Sequence, residues 1–211
     1  MKLLLTSAGI TNQSIADSLI DLVGKKVEDI KIGFIPTAAN IEKGNKDWFI
    51  RQFIDLYAYG FTWIDIVDIS IPEIDWKNRF AETDVIMVSG GNTFYLLEQI
   101  RKAGFAEWLK TIQDTKVYVG ISAGSIVATP SIAIAAVDNG DINYSNLTDL
   151  NGFGLVDFEV SPHTPEQVSN EGNLNYIKSS GAKLYGIDNQ SAIRVVDGEV
   201  GAVSEGVWIE Y

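Results

Sequence analysis

Cysteine is absent from the 211 residues, and His163 is the only histidine. The missing cysteines exclude disulfide bonds, thiolate nucleophiles, iron–sulfur clusters and cysteine-ligated zinc. A single histidine excludes metal sites that need several histidines from one chain. We therefore expect chemistry that uses neither a metal ion nor another cofactor.

Basic residues and long apolar runs are also scarce. The chain has 16 Lys and Arg against 28 Asp and Glu, a net charge of −12, and its densest basic group is only Lys25-Lys26. Nucleic-acid and anionic-membrane sites usually need clustered positive charge. No run approaches the roughly 20 apolar residues that span a bilayer, and residues 1–5 are too short for the core of a signal peptide. We expect a cytoplasmic protein that binds neither nucleic acid nor membranes.

The first half of the chain alternates short apolar runs with amphipathic segments. The runs are rich in Val, Ile and Leu and predict buried strands at 2–6, 31–36, 62–68, 84–88 and 117–121. Helical spacing predicts one helix that begins near residues 11–12 and ends at Gly24, and a second at 47–59 whose large apolar side chains are buried: Trp48, Phe49, Phe53, Leu56 and Tyr57. This order predicts an α/β fold, a parallel sheet with helices on both faces.

The second half has shorter elements. It predicts strands at 131–137, 158–160, 184–187, 192–196 and 199–203, a helix at 166–179 and a hairpin turn at Asp197-Gly198. No linker or repeat interrupts the sequence, so we expect one domain over residues 1–211.

A nucleophile elbow is the strongest local signal. Gly120-Ile121-Ser122-Ala123-Gly124 matches G-x-S-x-G, follows a predicted buried strand and precedes an apolar segment. The small neighbours let the chain reverse closely beneath Ser122, and the N–H of Ala123 is placed to donate to an oxyanion. The simpler interpretation, in which Ser122 only caps a helix, remains open from the pentapeptide alone.

A glycine pair ends the fourth predicted strand. Ser89-Gly90-Gly91-Asn92-Thr93 precedes a predicted helix at 94–102, at the sheet edge where ligands bind. Unobstructed backbone N–H groups suit an oxyanion hole, and we expect Gly90 and Asn92 to contact substrate. Phosphate binding is less favoured, because neither dinucleotide-binding nor Walker patterns are present.

His163 is the candidate base for Ser122. It lies between two prolines, directly after the strand predicted at 158–160. A serine hydroxyl needs such a base, and the imidazole needs an acidic partner to hold its tautomer. Asp138 leads because it lies 16 residues after Ser122, while Asp141 and Asp157 remain rivals.

The four motifs together resemble one family. Gly33-Phe34-Ile35-Pro36-Thr37-Ala38, the glycine-pair loop, the elbow and Pro162-His163-Thr164 occur in the order seen in the dipeptidase E (aspartyl dipeptidase) family of serine peptidases, which is related to cyanophycinase. The resemblance implies a parallel-sheet sandwich similar to flavodoxin-like and class I glutamine amidotransferase-like folds. It also implies a triad of Ser122, His163 and Asp138, with Gly91 and Ala123 as oxyanion donors.

The resemblance is incomplete where the family pattern has an arginine for the substrate's aspartate. Residues 164–180 contain no arginine, and their only basic residue is Lys178. Lys43 and Arg51 are other possible cations. We expect a serine peptidase that hydrolyses dipeptides or very short peptides without strict N-terminal aspartate specificity. An esterase or amidase with the same triad and a non-catalytic binding module are the alternatives.

Overall fold

A mostly parallel sheet organises the chain. The structure is a computed structural model that describes residues 1–112 and 114–211. Its strands are β1 (Lys2–Thr6), β2 (Lys31–Ile35), β3 (Trp63–Ile66), β4 (Val85–Val88), β5 (Val117–Ile121), β6 (Glu159–Pro162), β7 (Leu184–Ile187), β8 (Ser191–Val196), β9 (Glu199–Ser204) and β10 (Trp208–Glu210). Seven form one sheet in the order β3-β2-β4-β5-β1-β8-β9, and three form a smaller sheet in the order β10-β7-β6.

The direction of the strands follows the sequence pattern. The first five strands pair in parallel, as the long helical connections between them require. β8 pairs antiparallel with β1. β9 pairs antiparallel with β8, and the predicted turn at Asp197-Gly198 connects these two strands. In the smaller sheet β6 and β7 are parallel, and β10 is antiparallel to β7.

Helices cover both faces of the large sheet. They are α1 (Gln13–Val23), α2 (Asp47–Ala58), α3 (Trp76–Ala81), α4 (Thr93–Ala103), α5 (Phe105–Ile112), α6 (Ala123–Ile126) and α7 (Asn170–Ser180). Alternate residues of β1 lie in separate cores, with Leu4 packed in the same cluster as Ile15 and Leu19 of α1, and Leu3 and Leu5 in the opposite cluster. This arrangement confirms the predicted α/β, flavodoxin-like class. None of the helices in the described part of the chain is both long and apolar enough to cross a bilayer.

The ends of α1 show why the prediction succeeded there. Asn12 Oδ1 accepts a hydrogen bond from Ile15 N at 2.9 Å, which satisfies a free donor of the first turn. Gly24 ends the helix at φ +74°, a conformation that glycine adopts without steric cost.

Two predictions of secondary structure were wrong. Residues 131–137 do not form a strand: Ser131 makes one isolated bridge, and Ala133–Asn139 is 3₁₀-helical with a kink at Asp138. Local hydrogen bonds, such as Ala135 N to Ile132 O, replace strand pairing there. The helix predicted at 166–179 begins only at Asn170, because Ser169 accepts a hydrogen bond from Gly172 N and caps it.

The prediction that all the aromatic side chains of α2 are buried was also wrong. Phe49 and Phe53 pack on Phe34 of β2, but Trp48 is 40% exposed and Tyr57 is 58% exposed. Each helical residue turns about 100° from its predecessor, so Trp48 lies at the margin of the buried face, where its ring contacts Phe49 at 5.8 Å between centroids. Trp48 instead lines a cavity above the sheet.

Candidate active site

Five chain segments meet above one edge of the two sheets. Ser7 follows β1, Gly90 follows β4, Ser122 follows β5 and His163 follows β6, while Asn189 lies two residues beyond β7. These strands are parallel within their sheets, so their carboxyl ends form one crevice. Residues that are far apart in the sequence are thereby brought into contact.

Ser122 lies on a strained turn between β5 and α6. Its φ is +49° and its ψ is −108°, and its N–H donates to Thr6 O at 3.0 Å. A Cβ on Gly120 would lie 2.5 Å from Ser125 N, so the reversal requires glycine there. The Ser122 side chain makes no capping hydrogen bond to α6. Strained backbone of this kind persists where the surroundings hold it in place, commonly at active sites.

The hydroxyl of Ser122 points instead to His163. Ser122 Oγ lies 3.0 Å from His163 Nε2. The histidine is half-buried, and its backbone N–H donates to Ser7 Oγ at 2.8 Å. The structure therefore brings together the two residues that the sequence singled out as nucleophile and base.

An amide, rather than a carboxylate, contacts the far side of the imidazole. Asn189 Oδ1 lies 2.7 Å from His163 Nδ1, and it also accepts a hydrogen bond from Ser7 Oγ at 3.0 Å. The Asn189 backbone is held on both sides, by Thr11 Oγ1 and by Glu166 Oε1. With Oδ1 as acceptor, Nδ1 carries the proton, and the lone pair of Nε2 faces Ser122.

The structure corrects the prediction that Asp138 partners His163. Asp138 is exposed, and its Oδ2 accepts hydrogen bonds from Ser169 N at 2.8 Å and Ser169 Oγ at 2.6 Å. Asp138 thereby stabilises the start of α7. Asp157 is exposed as well. Asp141 does line the cavity beside His163, but its Oδ2 accepts from Thr93 N at 2.7 Å. Proximity to Ser122 in the sequence did not identify the partner of His163, because Asn189 lies 67 residues beyond Ser122.

Two residues of the loop after β4 have different roles. Gly90 lines the cavity, as expected. Asn92 is 1% exposed, and its amide is committed to the protein: Oδ1 accepts from Tyr95 N and caps α4, and Nδ2 donates to Ile142 O. The prediction that Asn92 contacts substrate is corrected to a role in holding this loop.

The two residues expected to supply oxyanion donors lie close to Ser122: Gly91 lines the same cavity, and Ala123 follows Ser122 directly. Gly91 has φ +132°, and a Cβ there would overlap Ala38 O, so this position also requires glycine. Ala123 is the first residue of α6. Neither N–H donates to a backbone acceptor elsewhere in the part of the chain that the structure describes.

The cavity beside Ser122 is small and acidic. Its volume is about 350 Å³, and its walls include Glu42, Trp48, Gln52 and Asp141. Among the described residues that line it, none is Lys or Arg. The rival cations do not line it: Arg51 pairs with Asp55 at 2.8 Å, and Lys43 and Lys178 are exposed.

Burial sets the charge state of the imidazole. It lowers the pKa of His163 below 6.5, while the Asn189 hydrogen bond and the charges of Glu166 and Asp141 act in the opposite direction. The net effect favours the neutral ring. A neutral imidazole has the free lone pair that a general base needs.

Comparison with known proteins agrees with this geometry. The model of peptidase family S51 matches residues 3–203. The chain belongs to peptidase family S51. It is therefore an enzyme of the peptidase class, and the resemblance drawn from the four sequence motifs is confirmed.

Individual relatives of this S51 peptidase cover most of its length. An uncharacterized peptidase of Pasteurella multocida is 31% identical over 183 residues, 85% of this chain and 87% of that protein. A peptidase E of Citrobacter koseri is 24% identical over 165 residues, 76% of this chain and 67% of that protein. The crystal structure of a candidate peptidase E from Listeria monocytogenes aligns with TM-score 0.79 and 25% identity, over 97% of this chain and 98% of that one.

Proposed function

We propose that this S51 peptidase hydrolyses dipeptides or very short peptides through an acyl-enzyme on Ser122, with His163 as the general base. The observation that carries the proposal is the 3.0 Å contact between Ser122 Oγ and His163 Nε2 at a strained strand-to-helix turn. Nucleophile and base within hydrogen-bond reach, with a third group orienting the base, are the signature of an activated serine.

The reaction follows from the positions of the atoms. Ser122 Oγ attacks the peptide carbonyl carbon while His163 Nε2 takes the hydroxyl proton. The N–H groups of Gly91 and Ala123 stabilise the oxyanion, and His163 then returns the proton to the departing amine. Water, deprotonated by the same nitrogen, attacks the acyl carbon, and His163 returns that proton to Ser122 Oγ as the acyl–Oγ bond breaks. Asn189 and Ser7 keep the ring in the tautomer that this sequence of proton transfers needs.

The size of the cavity limits the substrate. A volume of about 350 Å³ is at the small end of ligand pockets, which extend from about 300 to 1,000 Å³. A short peptide suits this space better than a long chain. The cavity walls also decide which charges are accepted, because an unpaired buried charge is strongly unfavourable.

A fluorophosphonate probe and a peptide series test this function together. The probe is expected to label Ser122, and dipeptides are expected to be cleaved faster than tetrapeptides of the same composition. Hydrolysis of matched esters without any dipeptide cleavage would instead favour an esterase. Absence of both labelling and hydrolysis in folded protein would contradict the proposal.

The pH dependence of kcat/KM should reflect a base with a depressed pKa. Protonated His163 cannot accept the Ser122 proton, so the rate should rise with pH and reach half its plateau below pH 6.5. NMR titration of the only histidine gives an independent value for the same group. A midpoint above 6.5, or one that disagrees clearly with the NMR titration, would contradict the assignment.

Substrates with an N-terminal aspartate are expected to be poor. The cavity offers Glu42 and Asp141 but, in the part of its wall that is described, neither Lys nor Arg. An aspartate side chain placed there would lack a charged partner and would face like charge. We expect kcat/KM for Asp-Ala to be about tenfold or more below that for the isosteric Asn-Ala. A preference for Asp-Ala would contradict this expectation and indicate a cation elsewhere.

A further inference from the structure

The groups that touch the His163 ring are neutral, although the proposed reaction makes the ring positive. Asn189 Oδ1 lies 2.7 Å from Nδ1, Ser7 Oγ lies 3.2 Å from the same nitrogen, and Ser122 Oγ faces Nε2. An amide oxygen can hold the tautomer of the imidazole, but it brings no negative charge to the imidazolium. In a Ser-His-Asp triad one carboxylate performs both tasks. The second task therefore needs a charge from beyond these contacts.

Glu166 lies in the loop that carries His163. The His163 carbonyl accepts hydrogen bonds from Gln167 N at 2.7 Å and from Val168 N at 3.1 Å, so residues 163–168 form a tight turn. Glu166 is exposed within this turn, and its Oε1 accepts a hydrogen bond from Asn189 N at 3.2 Å. One carboxylate thus links the loop of the base to the backbone of the residue that orients the base.

The charges that act on His163 come from two carboxylates. Burial lowers the pKa of His163, and the hydrogen bond to Asn189 and the charges of Glu166 and Asp141 oppose this shift. Asp141 is held at the start of α4. Asp188 precedes Asn189 in the chain, but its carboxylate is committed to two backbone N–H groups of other residues. Of the two carboxylates that act on the ring, Glu166 is the one that also bonds to the orienting residue.

We propose that Glu166 is a positioning residue of the catalytic base: its carboxylate fixes Asn189 against His163 and supplies the negative charge that the Asn189 amide lacks. The inference deepens the proposed function and rests on it for the role of His163 as base. The two tasks of a triad carboxylate are then divided between an amide that touches the ring and a carboxylate one contact further out. Because Glu166 is exposed, water and salt screen its charge, so its electrostatic effect is modest and depends on salt.

Glu166→Gln tests the charge, because the substitution keeps an acceptor for Asn189 N. NMR titration should give a His163 pKa that is lower than in the wild-type protein by about 0.3 pH unit or more at low ionic strength. The rising limb of kcat/KM should move to lower pH by the same amount, and the plateau kcat should fall about twofold to fivefold. Both changes should shrink in about 0.5 M salt. A purely structural role would leave the pKa unchanged, since the hydrogen bond is retained.

Glu166→Ala tests the contact, because it removes the acceptor as well as the charge. We expect kcat to fall about tenfold or more, since Asn189 is then held less firmly against the ring. KM should stay within about twofold, because Glu166 does not line the cavity. Glu171→Gln is the matched control: it removes one exposed carboxylate from the first turn of α7 and should leave both the His163 pKa and kcat unchanged.

The NMR titration separates this inference from the proposed function, because it needs no turnover. A His163 pKa that Glu166→Gln leaves unchanged, an equal fall in Glu171→Gln, or full activity in Glu166→Ala would overturn the role of Glu166. If the wild-type protein cleaves no peptide but Glu166→Gln lowers the pKa as expected, the coupling of Glu166 to His163 stands and the proposed function is wrong. If peptides are cleaved and the pKa is unchanged, the function stands and the inference is wrong.

Discussion

Replacing Ser122 by alanine is expected to lower kcat for a cleaved dipeptide by about 10⁴-fold or more, and His163→Ala should do the same. The two groups should act as one unit, since Ser122 Oγ and His163 Nε2 lie within hydrogen-bond distance at 3.0 Å. Removing either leaves the other without a function. The double variant should therefore be little slower than either single variant.

The measurement is steady-state hydrolysis by the three variants, with circular dichroism to establish that each is folded. Ser125→Ala is a matched control for the elbow, because that serine lies three residues on and donates to Thr6 O rather than to His163. Its effect should appear in stability more than in turnover. Multiplicative losses in the double variant would argue that Ser122 and His163 do not act together.

Asn189→Leu is expected to lower kcat by about 10²- to 10³-fold while the protein stays folded. The substitution keeps a similar volume but removes the acceptor for His163 Nδ1 and Ser7 Oγ. The imidazole would then populate the tautomer whose protonated Nε2 faces Ser122. Asp138→Asn is the control, and its kcat should stay within about threefold of wild type because Asp138 contacts Ser169 instead.

Asn189→Asp distinguishes orientation from general structural support. A carboxylate at this position would stabilise the imidazolium and raise the pKa of His163 by about one unit or more. The rising limb of kcat/KM should move to higher pH by the same amount. An unchanged pH profile in Asn189→Asp, or full activity in Asn189→Leu, would contradict an orienting role.

The sequence predicted those parts of the site that local chemistry determines. The local sequence identifies the elbow around Ser122, because the close reversal after β5 tolerates only small neighbours. His163 was identifiable by elimination, as the one histidine, in a loop directly after a strand. The parallel sheet followed from runs whose residues face a core on both sides.

The rest depended on contacts between distant segments. Asn189 and Ser7 lie 182 residues apart, and nothing in either local pattern indicates that they meet at His163. Asp138 was favoured by its spacing from Ser122, but the kink in the 3₁₀ segment turns its carboxylate to Ser169. The polar residues that follow β1 and β7 were the available signal, because the carboxyl ends of parallel strands converge.

The large sequence separation of these contacts has a consequence for when the enzyme acquires its activity during synthesis. Ser7 is synthesised 182 residues before Asn189, and β1 lies in the sheet between β5 and β8. A nascent chain that ends before Asn189 has an open edge at β1 and lacks the amide oxygen that lies against His163 Nδ1. Full hydrolytic activity should therefore arise only after Asn189 and β8 have been synthesised and have joined β1.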